Sequence, residues 1–186
     1  MIVNSSLCTN FFIFTGGPGS GKTALLNELN SRGYSTVPEA ARSIIQKQHA
    51  SGGDAIHTGN RKAFRDLMLE QSIADYHKMQ SEEKMVFFDR GIPDLYGYSK
   101  VFCEETSKEV NDAVLRFRYN KTVFIFPPWP EIYEKDVERQ QDFQEALKTY
   151  YAVSEGYFDC GYVLIEMPKC PIKDRADFIF QIISKS

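Results

Sequence analysis

The sequence predicts an α/β protein in which a parallel sheet of about five strands lies between two layers of helices. Short apolar runs alternate with helical patterns along all 186 residues, which is typical of parallel strands joined by crossover helices. Residues 86–88 and 123–126 are apolar without a polar alternation, as in strands that are buried on both faces. A glycine-rich loop at residues 16–23 separates the first strand from the first helix.

The elements follow one another in regular alternation. Strands are predicted near residues 10–15, 34–38, 84–89, 121–126 and 162–167. Helices are predicted near residues 21–31, 39–50, 60–80, 93–104, 107–118, 137–158 and 171–184.

Two stretches interrupt this alternation. Residues 51–54, Ser-Gly-Gly-Asp, begin a polar loop that runs to about Asn60, and we predict a mobile flap there. Residues 127–130, Pro-Pro-Trp-Pro, end the fourth strand and lead into a charged segment. Because the sequence shows no repeat, low-complexity tract or interdomain linker, we expect one domain over residues 1–186.

The composition argues against several classes of function. A formal charge of −3 gives no electrostatic basis for general nucleic-acid binding. The first ten residues lack a secretory signal pattern, and no apolar run approaches the roughly 20 residues of a membrane span. We therefore expect a cytoplasmic protein, whose scattered cysteines are free thiols without metal-ligand spacing. These cysteines are Cys8, Cys103, Cys160 and Cys170.

Residues 16–23 match the phosphate-binding pattern G-x-x-x-x-G-K-[ST], known as Walker A. In such a loop the backbone N–H groups and the positive end of the following helix face an anion. We assign Lys22 to the β- and γ-phosphates as a catalytic residue, and Thr23 to a magnesium ion. The predicted nucleotide-binding residues are Gly17, Pro18, Gly19, Ser20, Gly21, Lys22 and Thr23.

A second motif lies at residues 85–90, where an apolar strand ends in Asp89 and Arg90. An acidic residue in this position holds Mg²⁺ directly or through water, so Asp89 is a predicted metal ligand and catalytic residue. Arg90 follows at the carboxyl edge of the sheet, where ligands bind in open α/β folds. The sequence leaves two roles open for Arg90: binding a substrate anion, or bridging to a nearby carboxylate.

Three further charged residues are candidates on weaker grounds. Glu39 ends the second strand, where its carboxylate is able to accept a proton from a hydroxyl, although the helix dipole alone also favours a glutamate there. Arg42 is grouped with Glu39 and Arg90 as a substrate-binding residue. Arg139 follows the proline-rich break and is assigned to close over the triphosphate, with a solvated helical charge as the alternative.

With these residues identified, the chain resembles the single-domain predicted ATPases labelled "AAA domain". That group is related to nicotinamide riboside kinase domains and, more distantly, to thymidylate and deoxynucleoside kinases. The resemblance is carried by residues 16–23, 37–42, 87–99 and 138–162. It implies a three-layer P-loop NTPase fold with the nucleoside-kinase-like strand order 2-3-1-4-5, and a helical lid at about residues 127–145.

The resemblance also implies roles for individual residues. In the kinase relatives, an acidic residue after the second strand contacts the acceptor or serves as base, which corresponds here to Glu39. Their acid–arginine pair after the third strand corresponds to Asp89 and Arg90, and their lid arginine corresponds to Arg139.

Together these features predict a Mg²⁺-dependent, ATP-binding protein that transfers phosphate to a nucleoside-type or metabolite-type acceptor. The alternative is a nucleotide-dependent switch, ATPase or GTPase that binds a protein or an anionic lipid. Processing of a nucleic-acid end, suggested by a weak basic patch at residues 116–121, is the least favoured function. Because no Asn-Lys-x-Asp guanine-reading motif is present, ATP is the expected donor by elimination, with GTP left open.

Overall fold

The five predicted strands form one parallel sheet, and helices cover both of its faces. The computed structural model describes residues 6–133 and 143–185 of the chain. Its strands are β1 (Ser6–Leu7), β2 (Phe11–Gly16), β3 (Ser35–Val37), β4 (Val86–Asp89), β5 (Phe117–Arg118), β6 (Thr122–Phe126) and β7 (Val163–Glu166).

All seven predicted helices are present within the described residues. They are α1 (Lys22–Ser31), α2 (Ala40–Ser51), α3 (Arg61–Met79), α4 (Ile92–Phe102), α5 (Lys108–Arg116), α6 (Phe143–Asp159) and α7 (Ile172–Ile183). The sequence predicts the sixth helix from residue 137, but its first residues lie outside the described part of the chain. None of the described helices has both the length and the apolar character needed to cross a bilayer.

The strand order confirms the nucleoside-kinase-like topology. The sheet runs β3-β4-β2-β6-β7, which is 2-3-1-4-5 when the five predicted strands are numbered along the chain. Every neighbouring pair is parallel, and Phe14 of β2 lies opposite Asp89 of β4 and Phe124 of β6. The carboxyl ends of β2, β3 and β4 therefore meet at one edge, where the phosphate loop and the acidic candidates follow the strands.

The core divides into two apolar clusters because successive side chains of a strand point to opposite faces. Phe11 and Ile13 of β2 pack with α2 to α6, whereas Phe12 and Phe14 pack with α1 and α7. All six residues of β2 are buried, as expected for the central strand of a sheet that is covered on both faces. The arrangement is the three-layer sandwich that the sequence predicts.

A second, very small sheet is present that the sequence did not predict. The two-residue strands β1 and β5 pair in parallel as a separate small sheet. The hydroxyl of buried Tyr76 is the donor to the carbonyl oxygens of Ser6 and Arg118, one in each strand, and lies 2.8 Å from both. Two residues are too few to show the alternation by which a strand is recognised, so this pair was not predictable.

Helices α4 and α6 cross in very close contact because each carries a glycine at the crossing point. A Cβ atom on Gly97 would lie 2.2 Å from the carbonyl oxygen of Ala152, and one on Gly156 would lie 2.7 Å from the backbone nitrogen of Gly97. Both neighbours are backbone atoms, which are unable to move aside as a side chain does. The close contact matters for the site, because α4 and α6 carry Asp94 and Tyr157, described below.

We expect Gly156→Ala to destabilise the protein by roughly 1–3 kcal/mol because the added methyl group overpacks the α4–α6 contact. In an ordinary helix the same change is favourable by about 1 kcal/mol, so the predicted sign is the reverse of helix propensity. Denaturant unfolding measures the difference. The matched control is Glu155→Ala, the exposed neighbour on the same helix, which is expected to change stability by less than about 0.5 kcal/mol. Equal or increased stability of Gly156→Ala would contradict the prediction.

Candidate active site

The phosphate loop leaves β2 at Gly16 and enters α1 at Lys22, as the sequence predicts for this motif. Gly16 and Gly21 have φ angles of 126° and 84°, which side-chain-bearing residues rarely adopt. A Cβ on Gly16 would also lie 2.4 Å from the carbonyl oxygen of Phe126. These two glycines allow the tight curl that brings the unpaired N–H groups at the start of α1 to the loop, an arrangement that suits an anion.

Lys22 folds back over the loop that precedes it. Its Nζ donates a hydrogen bond at 2.8 Å to the carbonyl oxygen of Gly17 and approaches Oγ of Ser20 at 3.4 Å. The Ser20 hydroxyl donates to the same carbonyl at 2.9 Å. Lys22 is only 5% exposed. Its ammonium is therefore held at the loop by main-chain and hydroxyl oxygens, which suits a cation that binds phosphate.

Thr23 and Asp89 lie together at the start of α1 and the end of β4. The Thr23 hydroxyl donates to Oδ2 of Asp89 at 3.3 Å, so two hard oxygen donors face one another beside the loop. Mg²⁺ prefers such oxygens and commonly takes only one or two from the protein, completing its shell with water and phosphate oxygens. The residues present therefore fit the magnesium ion that the fold family implies.

Arg90 connects two carboxylates at the sheet edge. Its Nε donates to Oε1 of Glu39 at 2.7 Å, and its Nη1 donates to Oδ1 of Asp94 at 3.0 Å. Burial alone would lower the pKa of the guanidinium, but the charges of Glu39, Asp94 and Asp89 outweigh burial and raise it. Of the two roles left open by the sequence, the structure shows the bridge between carboxylates, while binding of a substrate anion stays a prediction.

The backbone of Arg90 is unusual for a residue with a side chain. Its φ angle is 73°, in the left-handed region, where only a few per cent of non-glycine residues are found. Such a conformation costs on the order of 1 kcal/mol or more and persists where surrounding contacts fix it. Here the two ion pairs provide those contacts, so the strained turn after β4 and the carboxylate network depend on each other.

Asp94 is the centre of this network, and the sequence analysis assigned it no role. The carboxylate accepts hydrogen bonds from the Thr15 hydroxyl at 2.6 Å, from the Gly91 backbone N–H at 2.9 Å and from the Tyr157 hydroxyl. Asp94 is only 3% exposed. Burial, together with the charge of Asp94, raises the pKa of Tyr157 well above its ordinary value. The sequence signal that could have indicated the Arg90–Asp94 ion pair is the spacing of the two residues, which lie four positions apart across the start of a helix.

Two open cavities meet at Glu39. One is lined by the phosphate loop together with Arg42, Asp89 and Glu39. The other is lined by Glu39, Arg90, Asp94 and aromatic side chains from α3 and α4. Glu39 thus borders both the phosphate cleft and the aromatic cavity, which is the position that the sequence predicts for an acceptor-facing acid.

Three rings form the apolar wall of the aromatic cavity. Tyr98 stacks on Phe102 with centroids 5.0 Å apart and meets Phe64 edge-on at 6.4 Å. The hydroxyl oxygen of Tyr98 is buried and has no hydrogen-bond partner among the described residues. Burial raises the pKa of this phenol, so it remains protonated at neutral pH. The cavity therefore offers flat apolar surfaces beside polar groups, a combination that suits a ring-shaped ligand with a polar edge.

The loop at residues 51–60 forms another part of the cavity wall. Its Ala55 is buried and its His57 lines the cavity. The backbone N–H of Ala55 donates to the side chain of Gln48 at 3.1 Å, and the carbonyl oxygen of Asp54 accepts from Asn60 at 2.7 Å. The structure thus gives this loop a defined place beside the cavity, while its predicted mobility stays a prediction.

The predicted lid, about residues 127–145, is described only on either side of a gap. Residues 134–142, and with them the candidate Arg139, lie outside the described part of the chain. The flanking residues contact the phosphate loop: the ring of Tyr133 covers Gly19, where an added Cβ would lie 2.6 Å from the ring, and Ala146 covers Gly17 equally closely. The catalytic role of Arg139 stays a prediction.

We expect Arg90→Met to lower the free energy of unfolding by about 3 kcal/mol or more, because it leaves two carboxylates without their buried cation. Chemical denaturation measures the loss. The control is Arg32→Met: Arg32 also bridges two carboxylates, Glu28 and Asp177, but at the solvent-exposed surface. Surface ion pairs contribute little, so this variant should keep nearly the wild-type midpoint. Equal losses for the two variants would contradict the conclusion that Arg90 is the buried cation on which the two carboxylates depend.

Comparisons with known proteins bear on the family and the fold of this chain. A protein-family profile described as "AAA domain" matches residues 11–175. No curated protein sequence matches the chain. Among solved structures, the chain is similar to a deoxyadenosine kinase from M. mycoides, with 12% identity and a TM-score of 0.67, covering 95% of this chain and 100% of that one.

Two thymidylate kinases are also similar. The enzyme from Candida albicans has 14% identity and a TM-score of 0.65, covering 94% of this chain and 91% of that one. The enzyme from Ehrlichia chaffeensis has 15% identity and a TM-score of 0.59, covering 95% and 98%. At these identities the similarity shows the fold, a P-loop domain of the kinase type.

Proposed function

This chain belongs to the AAA domain family, and we propose that it is a Mg²⁺-dependent phosphotransferase that uses ATP to phosphorylate a small nucleoside-type or metabolite-type acceptor. The observation that carries the proposal is the position of Glu39, which borders the phosphate cleft on one side and the aromatic cavity on the other. A donor phosphate in the cleft and an acceptor hydroxyl in the cavity would meet at this carboxylate.

In the proposed reaction the acceptor oxygen forms a bond to the γ-phosphorus of ATP while the bond from that phosphorus to ADP breaks. Lys22 and the N–H groups of the loop hold the donor phosphates, and Glu39 takes the proton of the acceptor hydroxyl. Arg90 orients the Glu39 carboxylate through its ion pair. Thr23 and Asp89 would hold the magnesium ion, which supplies positive charge to the phosphate oxygens. We assign Arg139 the role of neutralising the negative charge on the transferred phosphate group.

The aromatic cavity supports a ring-bearing acceptor. Phe64, Tyr98 and Phe102 provide flat apolar surface, and Glu39 and Arg90 provide polar groups at the inner end. By their names, the similar solved structures act on deoxyadenosine and thymidylate, which agrees with a nucleoside-like acceptor. Arg42 is exposed and lines the phosphate cleft, so we assign it to the substrate phosphates.

The donor and the compartment are part of the proposal. ATP remains the donor by elimination, since no guanine-reading motif follows a strand of the sheet. A cytoplasmic location accords with ATP use and with four cysteines that are free thiols in the structure. The charge of −3 argues against general nucleic-acid binding.

We expect ATP turnover to rise at least about tenfold with one pool from a library of nucleosides, nucleotides and other hydroxyl-bearing metabolites, and a phosphorylated product to appear in that pool. Lys22→Ala should lose roughly 100-fold or more of this turnover, because it removes the cation at the transferred phosphate. Slow turnover that no pool accelerates would contradict the phosphotransferase and would favour a nucleotide-dependent switch.

Once the acceptor is identified, we expect Glu39→Gln to lower kcat by about 100-fold or more, because an amide is unable to take the proton of the acceptor hydroxyl. The amide oxygen still accepts from Arg90, so the fold should be retained, as near-wild-type thermal unfolding would verify. The matched control is Glu70→Gln, an exposed glutamate on α3, which should leave kcat unchanged. Unaltered kcat in Glu39→Gln would remove Glu39 from the proton-transfer step.

A further inference from the structure

Arg175 lines the phosphate cleft from a direction that no sequence motif indicates. It lies in the first turn of α7, is only 5% exposed, and borders the cleft together with Lys22 and Thr23. Its Nη1 would be 2.9 Å from a Cβ added to Gly21, the residue immediately before Lys22. A buried guanidinium is therefore packed directly against the phosphate loop, in addition to the ammonium of Lys22.

This guanidinium has no anionic partner among the described residues. Its Nε and Nη1 atoms are buried, and neither has a hydrogen-bond acceptor there. The guanidinium carbon lies 5.4 Å from the centre of the Trp129 ring, a cation–π contact that compensates a buried charge only in part. Burial lowers the pKa of Arg175, but an arginine side chain still remains charged at neutral pH.

Two other arginines show how buried guanidinium groups are satisfied in this protein. Arg65 is equally buried and pairs with Asp66 at 2.7 Å. Arg90 is paired with Glu39 and Asp94. A buried charge without such a partner is expensive, so Arg175 differs from both in a way that requires an anion from elsewhere.

We propose that the polyphosphate of a bound nucleotide is the counter-ion of Arg175, which makes Arg175 a phosphate-binding residue of the cleft beside Lys22. The inference rests on the proposed nucleotide-binding function and adds a residue to it. The cleft already presents the glycine loop, the start of α1 and Lys22 to an anion, and phosphate is the group for which a guanidinium is best suited.

Replacing Arg175 should therefore change the stability of the ligand-free protein and its affinity for polyphosphate in opposite directions. Without nucleotide, the uncompensated charge destabilises the protein, so an apolar side chain of similar length at position 175 should increase stability. With polyphosphate, the same replacement removes an attractive interaction, so affinity should fall. A purely structural arginine would show the reverse of the first effect and none of the second.

The experiment compares Arg175→Met with wild type by thermal unfolding without ligand and by calorimetric titration with Mg²⁺ and inorganic tripolyphosphate, ATP, ADP or adenosine. We expect the ligand-free Tm to rise by about 2 °C or more. The Kd should increase roughly tenfold or more for tripolyphosphate, ATP and ADP, with no comparable change for adenosine. Lys173→Met is the matched control, since Lys173 is exposed on the same helix and carries the same charge. It should leave both measurements near wild type.

Several results would overturn the proposal. A lower Tm with unchanged Kd values would show that Arg175 has a structural role and does not bind the phosphates. A loss of affinity for adenosine, ATP and ADP with unchanged affinity for tripolyphosphate would assign Arg175 and Trp129 to the base instead of the phosphates. If wild type bound no polyphosphate, the proposed function would fail with it. If wild type and Arg175→Met bound polyphosphate equally, only the role of Arg175 would fail.

Discussion

The buried ion pairs of Arg90 determine how the functional edge of the sheet is assembled. This one guanidinium joins Glu39, immediately before α2, to Asp94, in the first turn of α4. Asp94 in turn accepts hydrogen bonds from β2 through Thr15 and from α6 through Tyr157. The network therefore connects strand β2, the β3–α2 and β4–α4 turns, and helices α4 and α6. Each of its hydrogen bonds is buried or partly buried.

One residue of this network, Glu39, lines two cavities of different character. On one side the loop and Lys22 provide positive charge and N–H donors, and on the other side Phe64, Tyr98 and Phe102 provide apolar surface. Glu39 lies where the two cavities meet, held by an ion pair. A carboxylate fixed in this way loses little freedom when a ligand arrives, which is the condition for efficient positioning of reacting groups.

Much of the fold was predictable because local patterns and topology agree. The unbroken apolar runs of β2, β4 and β6 mark strands that are covered on both faces. The order of the strands followed from the resemblance to nucleoside kinases, and the observed order is the same. The small β1–β5 sheet was missed, because two-residue strands have no periodicity and depend on the distant Tyr76 hydroxyl.

The sequence by itself determined the phosphate loop, because glycine spacing, the lysine and the flanking strand and helix are contiguous in the chain. It also indicated that Asp89 and Glu39 follow strands, and parallel strands bring their carboxyl ends to one edge. Only the tertiary structure decided that Arg90 bridges two carboxylates, that Asp94 also accepts hydrogen bonds from β2 and α6, and that Arg175 reaches the loop. These contacts join residues from separate elements, 63 positions apart for Asp94 and Tyr157 and 79 for Thr15 and Asp94, and no local pattern encodes which side chains meet across such distances.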